Sequence, residues 1–152
     1  MQPLSGTTRL GALLGFGVLA VLVASTATTA VAAAGHAAGV PLVMNGNEIP
    51  IAGFGTLTAM FALAGLALAA ALGRFSRHPR RDFVRATLVL TALSFLPDLL
   101  STADPSTKML FMSAHVVAAA IVIPVVAWRL PRRRDRVAVE AGTAAGLRVG
   151  TD

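Results

Sequence analysis

Residues 80–100 read RRDFVRATLVLTALSFLPDLL. The front of this stretch is basic, its middle is apolar enough for lipid, and its far end carries Asp98 just after Pro97. Thr87, Thr91, Ser94 and Asp98 follow one another at steps of four, three and four. At 3.6 residues per turn these steps place all four on one helical face. A membrane helix with one polar face turns it toward protein or water, because hydrocarbon offers polar groups no partner. The stretch therefore predicts a bundle rather than a lone span.

Composition agrees. Of 152 residues 55% are hydrophobic and 13% charged, against roughly 25% charged in soluble domains. The apolar residues fall in runs divided by short charged segments, as in polytopic membrane proteins. The spans are expected at about 10–34, 51–72, 82–100 and 106–130. Residues 1–9 form a short N-terminus, and 132–152 a basic, disordered tail. The fold class is all-α, a transmembrane four-helix bundle. An N-terminal apolar run can instead be a signal peptide, which would leave three spans. Gly11 and Gly15 form a small-xxx-small pair that permits close helix approach. Gly39 and Pro41 stop the first helix, Asn45-Gly46 marks a tight turn, and Asp104-Pro105 reads as a cap and first helical position.

Net charge is +6, but the basic residues flank apolar runs and only 5% of residues are aromatic, so nucleic acid is not the expected partner. In a four-span arrangement twelve of the thirteen basic residues fall on one side, and Lys108 alone falls on the other. The positive-inside rule then puts both termini and the middle loop in the cytoplasm, an N-in/C-in chain of the bacterial plasma membrane. Arg74, Arg77, Arg80, Arg81, Arg132, Arg133 and Arg134 are expected to anchor on anionic lipid headgroups. The bilayer is thus the expected partner, and a homo-oligomer stays open.

With this orientation His36, Glu48, Asp98 and His115 gather toward the outer leaflet, each from a different segment. His115 lies within MSAHVVAAAIVI, below the headgroups, and needs a partner there. Asp98 is the natural one, because antiparallel neighbours bring these depths together. Such a pair serves either as a structural tie between helices or in proton handling. Glu48 also suits the helix dipole of the second span, and His36 the interface. There is no cysteine, which removes thiol redox chemistry and cysteine-based metal sites. No HxxxH or ExxH spacing, phosphate loop or nucleophile elbow occurs, so neither metal nor cofactor is expected.

NGNEIPIAGFGTLTA, FSRHPRRDFVRATLVLTALSFLPDLL and MSAHVVAAAIVIPVVAWRLP resemble an actinobacterial family of small four-helix membrane proteins, domain of unknown function 6069. The resemblance covers about 10–131, with Glu48, Ile49, Pro50, Pro97, His115 and Pro124 as the recurring positions. It implies four transmembrane helices and no particular activity. A non-catalytic accessory or ligand-sensing bundle is the expected function. A proton-coupled transporter acting as an oligomer, and a lipid-modifying enzyme using Asp98, His115 and Glu48, are the alternatives.

Overall fold

The computed structural model describes residues 6–130. It contains four long helices: α1 (Gly6–Ala37), α2 (Ile51–Phe75), α3 (Pro79–Leu100) and α4 (Pro105–Arg129). All four are long and apolar enough to cross a membrane, and the chain is a multi-pass membrane bundle. The expected tail at 132–152 lies outside the described residues.

Local chemistry explains the ends. Gly39 takes φ 84°; its N–H donates to the His36 carbonyl (2.9 Å) and the Val40 N–H to that of Gly35 (3.0 Å). That is a Schellman cap, and it needs the left-handed conformation glycine adopts without strain. The chain then makes a small hairpin, β1 (Val43–Met44) against β2 (Asn47–Glu48). Asn45 (φ 51°) and Gly46 (φ 78°) supply the two left-handed positions of a tight hairpin turn. Ser76–His78 alone separate α2 from α3, so α3 starts earlier than the expected position 82. Pro79 suits the first helical turn, where no N–H partner is required, and Ser76 hydrogen-bonds the Asp82 carboxylate. The basic stretch around it is therefore mostly helix end, not loop. Asp104 is the N-cap residue of α4 but its side chain makes no capping bond. Only its carbonyl serves, accepting from the Lys108 N–H (3.0 Å).

The helices run up and down. α1 packs against α2 and α4, and α3 packs more sparingly against that same pair. One core cluster, including Val21, Leu66, Phe83 and Val126, fills the end near the α2–α3 connection. A second, including Ala32, Leu42, Phe54 and Phe111, lies beneath the hairpin, where Phe54 and Phe111 stack at 4.9 Å. Large apolar side chains such as Leu22, Leu63 and Leu88 face outward, as lipid requires. Close approach of α1 does not use Gly11 or Gly15, which face open space. It uses Gly17 against Leu66, Gly35 against Leu110, and Gly55 of α2 against Ser25 and Thr29. The expected pair was misplaced because a four-residue spacing does not say which side of a helix meets a neighbour.

Candidate functional site

Because α3 packs more loosely than α1, a cavity of about 720 Å³ remains among α2, α3 and α4. Its wall is mostly apolar. The polar lining consists of Thr58 from α2, Thr87, Thr91, Ser94 and Asp98 from α3, and His115 from α4. The polar face legible in residues 80–100 is thus turned toward this space.

Asp98 and His115 meet at the hairpin end. His115 Nδ1 lies 3.2 Å from Asp98 Oδ2, the carboxylate being 95% buried and the imidazole 37% exposed. Their helices are antiparallel, and side chains lean toward the N-terminus of their own helix. Asp98 therefore leans inward and His115 outward, which closes the difference in depth between their backbones. Nδ1 also lies 2.9 Å from the Phe111 carbonyl. A carbonyl cannot donate, so Nδ1 carries the proton, and Nε2 of the neutral ring is an acceptor. Phe95 meets the imidazole edge-on at 6.1 Å. Asp98 Oδ2 is buried and accepts no well-formed hydrogen bond within the described residues.

The hydroxyls beside the pair have their protons engaged elsewhere. Thr87 donates to the Phe83 carbonyl (2.8 Å), Thr91 to that of Thr87 (2.8 Å) and Ser94 to that of Thr91 (2.7 Å). Thr28 of α1 donates to the Ser25 carbonyl (3.1 Å). Thr28 and Thr58 also share a 2.9 Å hydrogen bond across α1 and α2, in which either hydroxyl can donate. Pro97 has no N–H for the Leu93 carbonyl one turn back, and Leu93 also lines the cavity.

His36 and Glu48 do not join this pair. His36 is exposed in the last turn of α1, on the far side of the α2–α4 contact from α3. Glu48 is exposed on the hairpin, paired through its backbone with Val43. Neither makes a hydrogen bond or ion pair to Asp98 or His115 among the described residues. The expected four-residue cluster is therefore two residues. Proximity in depth was legible in the sequence, but the order of helices around the bundle was not. Among the described residues, no three of His, Cys, Asp and Glu come together as a metal-holding group.

Arg74, Arg77, Arg80 and Arg81 sit at the opposite end, around the α2–α3 connection, and Arg132, Arg133 and Arg134 lie outside the described residues. Arg129, at the end of α4, stacks over Phe16 of α1 at 3.5 Å, a cation–π contact between helix ends. Lys108, the exception at the hairpin end, donates from Nζ to the Leu99 carbonyl (3.0 Å), satisfying a terminal carbonyl of α3. Thr58 was not foreseen. Its neighbour Thr56 bonds its own helix at Ala52, and nothing in the sequence distinguishes the two hydroxyls.

No curated protein and no solved structure matches the chain. Residues 8–132, which take in all four helices apart from the first residues of α1, match one family throughout. The chain belongs to the family of unknown function DUF6069.

Proposed function

We propose that this chain is a non-catalytic, ligand-binding bundle of the bacterial plasma membrane. It holds a small hydrophobic molecule between α2, α3 and α4. The observation that carries this is the cavity itself: about 720 Å³, apolar, with a buried carboxylate and an imidazole at one end. Small-molecule sites typically have volumes of about 300–1,000 Å³, apolar walls and a few placed polar groups.

The distribution of basic residues supports an orientation with the hairpin end outward and the α2–α3 connection in the cytoplasm. There Arg74, Arg77, Arg80 and Arg81 meet anionic headgroups. The chain has no cysteine, so single cysteines at Asn47 and Arg77 report sidedness directly. Labelling of Asn47→Cys from outside the cell, and of Arg77→Cys only after permeabilisation, is expected. The reverse pattern overturns the orientation.

The ligand-binding role is tested by mass spectrometry of protein released gently from membranes. A retained small molecule is expected, and its retention should fall in Ala118→Phe, which projects a phenyl ring into the cavity. Absence of any retained molecule, or retention unaffected by that substitution, refutes the proposal. A second role, proton-coupled transport, draws support from the Asp98–His115 contact facing the cavity. It requires that Asp98→Asn abolish uptake driven by a pH gradient in proteoliposomes.

A further inference from the structure

Every polar group on the cavity wall presents an acceptor. The hydroxyl protons of Thr87, Thr91 and Ser94 point into carbonyls of α3, and the Thr58 hydroxyl is paired with that of Thr28. Each oxygen keeps its lone pairs. His115 donates from Nδ1 to the Phe111 carbonyl, which leaves Nε2 as a lone pair while the ring is neutral. Asp98 adds a carboxylate to the wall; its side chain is 95% buried, with Oδ2 enclosed beside His115 Nδ1. From Thr87 to Asp98 these acceptors extend over twelve residues of α3, about 16 Å of helix. A carboxylate or phosphate head in this cavity would meet lone pairs and another anion. A molecule that brings its own N–H donors and a positive charge would satisfy groups that the fold leaves wanting.

We propose that the cavity selects a primary ammonium on an apolar body. The ammonium donates to the Asp98 carboxylate at the cavity wall while Ser94 Oγ, one turn away, accepts a further N–H, and the body lies against Phe54, Leu57 and Ala118. This deepens the ligand-binding role and depends on it. The wall discriminates by hydrogen-bond polarity as well as by charge. A neutral alcohol of the same shape fits the cavity but lacks the charge that makes its bond to a carboxylate strong.

Three probes with one body separate these factors: 1-naphthylmethylamine, 1-naphthylmethanol and 1-naphthoate. Each is titrated calorimetrically into the full chain in phosphatidylcholine nanodiscs, with empty nanodiscs as the blank. The amine should bind at least about tenfold tighter than the alcohol, the scale of one charge-assisted hydrogen bond. The naphthoate should be weakest. Asp98→Asn keeps the shape but replaces one acceptor with a donor. It should weaken the amine by about tenfold or more, leave the alcohol within about twofold, and strengthen the naphthoate.

Naphthoate binding as tightly as the amine overturns the inference. So does amine affinity unchanged in Asp98→Asn. In either case binding that Ala118→Phe weakens leaves the cavity standing as a ligand site. Binding of none of the three probes overturns the inference, and joined to the absence of a retained molecule it overturns the ligand-binding role as well. If Asp98→Asn loses its helical circular dichroism, Ser94→Ala and the ranking of the three probes on the unaltered protein decide the matter.

Discussion

Two glycines of α2 should respond in opposite directions to the same substitution. A Cβ at Gly55 would lie 3.2 Å from the backbone carbonyl oxygen of Ser25 and would run into the hydroxyl of Thr29. The Thr29 hydroxyl can rotate, but only by giving up its 2.8 Å bond to the Ser25 carbonyl. The backbone oxygen cannot rotate, so α1 and α2 must move apart by a few tenths of an ångström. Overpacking of this kind costs roughly 1–3 kcal/mol. The nearby bond between Thr28 and Thr58 stretches with it, and interhelical bonds in membranes average about 0.6 kcal/mol. Helix propensity opposes these terms, since Ala exceeds Gly by about 1 kcal/mol. Gly55→Ala is therefore expected to destabilise by about 1–2 kcal/mol, taking overpacking at its mid-range. A Cβ at Gly65 meets nothing within 4 Å, so only the propensity term remains. Gly65→Ala should stabilise by about 0.5–1 kcal/mol. Reversible unfolding in mixed micelles by increasing sodium dodecyl sulfate, followed by circular dichroism, compares both with the unaltered chain. If Gly55→Ala is as stable as Gly65→Ala, the close α1–α2 approach is wrong, and the packing described for that pair fails with it.

Three further outcomes are expected. Asn45→Ala removes the acceptor of the Thr102 N–H (3.0 Å) and hydroxyl (3.2 Å) and puts alanine at positive φ. It should cost about 1–2 kcal/mol and speed deuterium exchange at Thr102 with little change at the α2–α3 connection; uniform exchange would contradict it. A double-mutant cycle between Asp98→Asn and His115→Ala should give a coupling near 1 kcal/mol, and additive effects would show that the 3.2 Å contact is energetically idle. Phe111→Ala breaks the stack with Phe54, worth about 0.5–1.5 kcal/mol beyond packing. It should lower the thermal midpoint more than Leu88→Ala, which trims an outward-facing side chain; equal effects would argue against the core beneath the hairpin.

The bundle was legible from residues alone because lipid imposes a coarse rule. Backbone groups in hydrocarbon must bond within the chain, so apolar runs of this length become helices. Short connections then force them to alternate. Turn chemistry was equally local: Gly39 and Asn45-Gly46 adopt left-handed backbone, which few other residues tolerate. The steps between Thr87, Thr91, Ser94 and Asp98 were enough to put them on one face, since a helix's periodicity does not depend on its neighbours. Which groups meet across helices was not local. His36 and Glu48 fall at the same end of the bundle as Asp98 and His115, yet α1 lies across the α2–α4 contact from α3. Gly11 and Gly15 have the spacing for close packing, whereas Gly17, Gly35 and Gly55 occupy the contacts. Depth is a one-dimensional quantity that the chain encodes by counting. Azimuth is set only when four helices pack together, and the cavity exists because α3 packs less closely than α1. No single segment contains that difference, since it is a property of how side-chain volumes from all four fill the space between them.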